Sequence, residues 1–237
     1  MLSIVIPCYN EAANIPLIAQ KLSSAPLPDV EIILVDNGST DNTPEVLRQE
    51  LARVKNVSMR FVRVEKNIGY GFGIMTGVRN ATGDVIAWTH ADLQTDIQDI
   101  FRGYEHFCKA PDPEQTFLKG VRKNRPLLDA FFTWGMALLS SFALGSALHD
   151  INAQPKMFHR KFLELIKNPP DDFSLDLYVL FLAKINKFHF IIIPVFFGKR
   201  LHGEAKGGGS WKTKFRLIKR TLTYIFKLRQ EIKIGVR

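Results

Sequence analysis

The sequence predicts an α/β fold: an open, mostly parallel sheet flanked by helices. Three observations predict it. Short aliphatic and β-branched runs (Ser3 to Ile6, Ile32 to Val35, Ser58 to Val64 and Asp84 to Trp88) are each followed by a polar or glycine-containing stretch. Segments with apolar residues at helical spacing lie between runs, as the crossovers of a parallel sheet require. Polar side chains gather just after the strands, where an open parallel sheet offers its ligand crevice.

The first run stops at Pro7 and opens into Cys8-Tyr9-Asn10-Glu11. Ile15, Ile18, Ala19 and Leu22 then recur at the spacing of a helix that lays one face on a sheet. The second run stops at Asp36-Asn37-Gly38-Ser39-Thr40-Asp41, so two polar strand ends are expected side by side. Thr43 is expected to cap a helix over Pro44 to Leu51, since proline suits the first helical position. Between the third and fourth strands, glycines 69, 71, 73 and 77 admit two readings. They let backbone approach a ligand closely, or they form a turn before a helix packed tightly on the sheet. Ile74 stands where G-x-G-x-x-G needs its last glycine, which argues against a dehydrogenase.

If the fourth strand extends, alternation sends His90, Asp92, Gln94 and Asp96 to one side. Four metal-competent side chains would then share a face, and a divalent cation held there would bridge the two phosphates of a nucleotide. The other reading is a helix start, with Asp96 capping Ile97 to Phe107. Leu118 to Arg122 reads as a further strand with Arg125 close behind, and Phe190 to Phe197 as another. Arg200 and Lys206 flank the glycine-rich loop Gly203 to Gly209, giving a second anion site beside the first.

With 237 residues, 46% of them hydrophobic and 23% charged, the chain suits one globular core with appendages. Cys8 and Cys108 lack metal or redox spacing. Met1 runs almost directly into a strand, without the charged and apolar regions of a secretory signal, so the expected setting is cytoplasmic. The net charge of +9 is uneven: Trp211 to Arg237 holds nine Lys or Arg against Glu231 alone. There Trp211, Phe215, Ile218, Leu222, Ile225 and Phe226 follow steps of three and four, with basic residues on the other faces. That pattern suits an anionic membrane surface, and nucleic acid would not need the apolar stripe.

Ala130 to Leu148 is uncharged for 19 residues, the length of a transmembrane candidate. One crossing would part Arg200 and Lys206 from Asp36 and Asp92. An in-plane or re-entrant helix at about 127–148 is therefore expected, with Phe131, Leu138, Leu139 and Phe142 facing lipid and Asp129, Thr133, Ala137 and Ser140 on another side. The chain would be peripherally attached to the membrane.

Val5 to Glu11, Val35 to Asp41 and Ala91-Asp92-Leu93-Gln94 together resemble family 2 glycosyltransferases, in particular the dolichyl-phosphate mannose synthase type. The resemblance covers Met1 to about Ser210 and implies a GT-A-type, Rossmann-like catalytic domain, with donor half 1–117, acceptor half 118–210 and a separate basic amphipathic helix at 211–237. It implies that Pro7, Tyr9, Glu11 and Asp36 line the base and ribose pocket, with Asn10, Gly38, Ser39 and Gly71 as further nucleotide contacts. Asp92 and Gln94 would serve metal and diphosphate. His90 stands where the family usually has an acid: it either ligates, favouring Mn²⁺ over Mg²⁺, or hydrogen-bonds within its loop, and Asp96 is the candidate replacement for the lost charge. Arg122, Arg125 and Arg200 fall near arginines that hold a lipid phosphate, with Lys206 beside them. Asp150 to Phe158 and Asp176 also follow the family pattern.

The implied reaction is inverting sugar transfer from a nucleotide-sugar donor to a polyprenyl phosphate, with Asp92 and Arg200 as the catalytic candidates. Two alternatives stay open. One is a hydroxyl acceptor, with Asp150 or Asp176 as base. The other is a membrane-bound protein that binds nucleotide-sugar without turnover.

Overall fold

A computed structural model describes residues 1–24, 29–55, 57–124, 127–202 and 211–234. Strands β1 (Leu2–Cys8), β2 (Val30–Asn37), β3 (Ser58–Val64) and β4 (Val85–Trp88) alternate with helices α1 (Ile15–Ser23), α2 (Thr43–Arg53) and α3 (Tyr70–Asn80). Then follow α4 (Gln98–Cys108), β5 (Thr116–Lys123), α5 (Leu127–Leu144), β6 (Lys156–His159), α6 (Ser174–Ile185), β7 (His189–Phe196) and α7 (Trp211–Ile234). The sheet has seven strands in the order β3-β2-β1-β4-β6-β5-β7. All pairings are parallel except those of β6, which runs antiparallel between β4 and β5.

Helices cover both faces, which is why β1 and β2 read as nearly continuous apolar runs rather than alternating ones. Ile4, Ile6, Ile32, Leu34 and Ala87 meet α1, α2 and α4 on one face. Val5, Ile33, Val35, Trp88, Phe117 and Phe158 meet α3, α5, α6 and α7 on the other. In the register of β1 and β2, Cys8 lies opposite Asp36, so the two polar strand ends do abut. Gly77 faces this sheet closely: a side-chain carbon there would come within 2.3 Å of Val5.

Three local expectations are corrected. The fourth strand stops at Trp88: the Thr89 amide still donates to the Val5 carbonyl (3.2 Å), but turns and a left-handed Leu93 then carry the chain away. His90, Asp92, Gln94 and Asp96 therefore do not share a strand face. Thr43 is the first residue of α2 rather than its cap; its hydroxyl accepts from the Glu11 amide at 2.9 Å and pins the loop after β1 to the helix. The stripe of α7 meets protein: Ile225 and Leu228 are buried and Leu222 is partly so, all within the core that α5 and α6 complete, while Phe226 remains exposed. Amphipathic spacing reports an apolar face, not what covers it. The side chains of residues 211–217 lie outside the described ones.

On α5, Ala137 and Ser140 turn inward, while Trp134, Leu138, Leu139 and Phe142 are exposed, Phe142 to 89%. Among the described residues no helix is long and apolar enough to cross a membrane.

Candidate active site

The loops after β1 and β2 are tied together before any ligand is considered. Asn10, in a left-handed conformation, donates its amide to Ser39 Oγ (3.0 Å), and its carboxamide oxygen accepts from the Thr40 amide (2.8 Å). Ser39 N donates to Asp36 Oδ1 at 3.0 Å. Asn10 and Ser39 thus shape the loops. Gly38, at φ +71°, lets the backbone of Lys66 and Asn67 pass where any side chain would collide. Gly71 packs against the backbone of Pro170 and Asp172, so its close approach is to the chain itself. The fully buried Asp36 leaves Oδ2 without a hydrogen bond, 3.8 Å from the Arg63 guanidinium.

A cleft of about 730 Å³ opens beyond these strand ends, a volume suited to a small ligand. Pro7, Tyr9, Glu11, His90, Asp92 and Gln94 line one part; Arg122 and Arg200 line the part toward β5 and β7. The loop after β7 is brought in by two bonds: Gly198 N donates to the Gln94 carbonyl (2.7 Å), and Gln94 Nε2 donates to the Gly198 carbonyl (3.1 Å). That clamp sets Arg200 against Asp92 Oδ2 (2.9 Å) and Glu11 Oε1 (3.5 Å). Two residues expected on separate sites are therefore in direct contact. Burial would raise the Asp92 carboxyl, but the His90 ring, the Gln94 amide and Arg200 together hold it below its ordinary value.

His90 Nδ1 stands 3.8 Å from Asp92 Oδ2. Among the described residues no group of three or more His, Cys, Asp or Glu side chains converges as a metal cage. One imidazole and one carboxylate nonetheless fit a divalent cation that takes its remaining ligands from water and substrate phosphates. Gln94 lines the same cleft with its amide nitrogen turned to Gly198. Asp96 is elsewhere: it pairs with Lys21 on the surface (3.3 Å) and accepts from the Gln98 amide (3.2 Å), as the helix-start reading requires.

On the other wall, Arg122 binds Asp150 through its backbone amide (2.7 Å) and Nε (2.9 Å), with its guanidinium 5.4 Å from the Phe197 ring centre. Arg125 and Lys206 lie outside the described residues. Sequence reasoning missed Arg220. The spacing places it with the basic residues on the faces of the tail helix that suit an anionic membrane surface, yet α7 turns it into the cleft beside Asp172 (2.9 Å) and over Phe173. Its place one turn before Tyr224, on the partly buried side of α7, was the available signal.

This geometry can be set beside known proteins. Residues 3–166 match the family described as Glycosyl transferase family 2. The chain belongs to that family. Dodecaprenyl-phosphate galacturonate synthase of Rhizobium johnstonii is 29% identical over 174 residues, 70% of this chain and 50% of that protein. Undecaprenyl-phosphate 4-deoxy-4-formamido-L-arabinose transferase of Aeromonas hydrophila is 27% identical over 215 residues, 88% of this chain and 63% of that one. The chain thus spans one half to under two thirds of these curated relatives. Among solved structures, the mannosyltransferase PcManGT from Pyrobaculum calidifontis, in complex with GDP-Man and Mn²⁺, superposes with a TM-score of 0.65 at 19% identity, over 94% of this chain and 69% of that one. Glucosyl-3-phosphoglycerate synthase from Mycobacterium tuberculosis, with Mn²⁺ and UDP, gives 0.65 at 19% over 97% and 79%. The likeness to these structures is one of fold, and this family 2 glycosyltransferase has their GT-A arrangement.

Proposed function

We propose that this family 2 glycosyltransferase transfers a sugar from a nucleotide diphosphate to the phosphate of a polyprenyl lipid, with inversion, at the cytoplasmic face of a membrane. The observation that carries the acceptor class is the state of the two acids nearest the acceptor wall. Asp176 has no exposed surface and is bound to Lys156, and Asp150 is bound to Arg122. A hydroxyl acceptor must lose a proton during attack and needs a base within reach. A phosphate is already anionic and needs only to be held, for which Arg122, Arg200 and Arg220 line the cleft. The two relatives named for lipid phosphates support the same class.

In this reading Pro7, Tyr9 and Glu11 border the base and ribose, and the buried Asp36 lies behind them, holding the Ser39 amide. His90 and Asp92, with Gln94 beside them, would hold Mn²⁺ or Mg²⁺, which when bound neutralises charge on the leaving diphosphate. Arg122, Arg200 and Arg220 position the lipid phosphate, whose oxygen bonds to the anomeric carbon as the bond to diphosphate breaks on the opposite side. The exposed apolar face of α5 seats the enzyme on the bilayer, with residues 1–210 as the catalytic domain and α7 packed against it to supply Arg220.

The test is a transfer assay with a polyprenyl phosphate and a panel of GDP- and UDP-sugars, in Mn²⁺ and in Mg²⁺. At least one nucleotide-sugar is expected to yield a lipid-linked product of inverted anomeric configuration. Failure with every lipid phosphate alongside success on a free hydroxyl would overturn the acceptor class.

A further inference from the structure

Behind the acceptor wall a lysine is buried where an apolar side chain would be expected. Lys119 lies in β5 two residues after the fully buried Phe117, and is itself only 3% exposed. The antiparallel register sets it directly opposite Lys156 of β6, which is fully buried too. Like charges so placed repel, and each has given up its water. Lys156 is compensated by Asp176 at 2.7 Å. Lys119 is held differently: its side-chain nitrogen donates to the carbonyl oxygens of His149 and of Asp150, the latter at 2.9 Å.

These carbonyls belong to the turn that carries Asp150. Asp150 stands at φ +40°, in the left-handed region, and its carbonyl also accepts from the Ala153 amide (3.1 Å). The turn so closed sets Ile151 and Asn152 on the wall of the cleft. The carboxylate of Asp150 serves Arg122: the Arg122 amide donates to Oδ2 (2.7 Å), and Nε (2.9 Å) and Nη2 both donate to Oδ1. Lys119 and Arg122, three residues apart on β5, thus grip one residue by its carbonyl and by its carboxylate. Between them the Gly120 amide donates to the Pro155 carbonyl (2.9 Å), so β5 holds both ends of the 150–155 segment. An aspartate at positive φ keeps that conformation only while its surroundings impose it. Without the amine, the Asp150 peptide is free to turn and its carboxylate to leave Arg122. Burial above all, then Lys156 and Arg122, lowers Lys119 to about 7, with Asp150 and Asp176 opposing. A neutral amine still has two hydrogens for two carbonyls, so the grip does not depend on its charge.

We propose that Lys119 is a positioning residue: by fixing the Asp150 turn, it keeps the Arg122 guanidinium set in the cleft for the acceptor phosphate. This role rests on the reading of Arg122 as a holder of that phosphate. The grip on Asp150 does not.

Lys119→Met keeps the length of the side chain and removes the amine. In transfer assays with a polyprenyl phosphate, its acceptor KM is expected to rise about 10-fold, the scale of one lost hydrogen bond to a charged group. The KM for nucleotide-sugar and kcat are expected to change by less than about twofold. In an Arg122→Ala background the same substitution is expected to add nothing, whereas a general weakening of the fold would act in both backgrounds and on both substrates. Spectra of ¹⁵N-labelled protein read the grip directly. The Arg122 Nε–H, assigned by its loss in Arg122→Ala, is expected to exchange slowly with solvent in the wild type and rapidly in Lys119→Met. Rapid exchange in the wild type would overturn the proposal, and that result needs no folded Lys119 variant. An acceptor KM that stays or falls in a folded Lys119→Met would overturn it too, as would an Nε–H that remains as protected as before. If Arg122→Ala leaves the acceptor KM where it was while the Nε–H behaves as expected, the acceptor reading of Arg122 fails, and only the grip of Lys119 on Asp150 stands.

Discussion

The two walls of the cleft are built on opposite principles. On the donor wall, parallel neighbours β1 and β2 end side by side, and short loops lock to each other through Asn10, Ser39, Thr40 and Thr43, leaving Asp36 Oδ2 with an unfilled hydrogen bond. On the acceptor wall, three guanidinium groups arrive from β5, the loop after β7, and α7, and each is already paired: Arg122 with Asp150, Arg200 with Asp92 and Glu11, Arg220 with Asp172. The loops at the first wall are held by hydrogen bonds among themselves, whereas the arginines of the second are held by ion pairs that still leave Arg200 Nε and Arg220 Nη2 without a hydrogen bond, so on the proposed reading an incoming anion would add to these contacts and compete with the carboxylates. Stored pairs discriminate: a neutral acceptor cannot replace a carboxylate opposite arginine, and a phosphate can.

The contrast breaks most visibly at the residue the walls share. Asp92 faces both His90 and Arg200, so Asp92→Asn should cost about 10³-fold in transfer rate, by analogy with the loss of a preorganised charge-stabilising group. Single-turnover transfer with radiolabelled donor measures it, and a variant within tenfold of wild type would show that neither wall depends on this carboxylate. Next in size is a loss of stability. Asp176→Asn leaves the buried Lys156 ammonium without its counter-charge, at a cost of about 3 kcal/mol in urea unfolding. Lys156→Met combined with Asp176→Asn should recover part of it, since the uncompensated ammonium is gone while an oxygen remains for Tyr70, Gln154 and Trp88.

How much of this was legible follows from how each wall is made. Strand, polar loop and helix are local patterns, so the order of the first four strands along the chain and the abutting polar ends of β1 and β2 could be read from residue spacing, whereas a shared pocket for Pro7, Glu11, Asp36 and Asp92 was implied only by the family resemblance, and of these Pro7, Glu11 and Asp92 line the cleft. The glycine run was legible only as two options; packing decides in favour of close contact with Val5, Asn37 and the 170–172 backbone. β6 escaped notice because its antiparallel insertion between β4 and β5 joins segments that are distant in the chain, and four residues carry too little pattern to declare a strand. The same non-locality hid the Tyr70, Gln154 and Asp176 cluster, whose members come from three separate elements. Arg220 was invisible for another reason: α7 is amphipathic toward protein, and one periodic stripe looks the same whether lipid or core covers it.

A smaller effect probes the pairing of Arg122. Burial would raise the Asp150 carboxyl, but Arg122 holds it below its ordinary value near 3.8. A carboxyl depressed in the folded state stabilises fully above its unfolded value, and that contribution is lost as pH falls from there through the folded value. Asp150→Asn should therefore be less stable than wild type by about 2 kcal/mol at pH 7, the scale of hydrogen bonds to a charged group. The gap between the two urea midpoints should narrow steadily below pH 4. A gap that stays constant to pH 2.5 would mean that the pair contributes nothing to folding, and that Arg122 is as free as a surface arginine.

The smallest expected effect is the sharpest test of stored cations, because it predicts a gain. Asp172 Oδ2 lies 2.9 Å from Arg220 Nε, while Oδ1 accepts from the Ser174 amide at 2.8 Å at the start of α6. Asp172→Asn keeps an oxygen for Ser174, so the helix start survives, but it removes the charge that competes for Arg220. If an anionic acceptor must displace that carboxylate, its KM should fall about threefold in the variant, the scale expected for one partly exposed ion pair, with kcat little changed. The KM for nucleotide-sugar should not move, since the donor wall has no share in this pair. Raising the salt concentration should shrink the difference, because Arg220 and Asp172 are both partly open to solvent and screened. A rise in acceptor KM would reverse the conclusion: Asp172 would then be holding Arg220 in its working position, and the acceptor wall would be preorganised in the same manner as the donor wall.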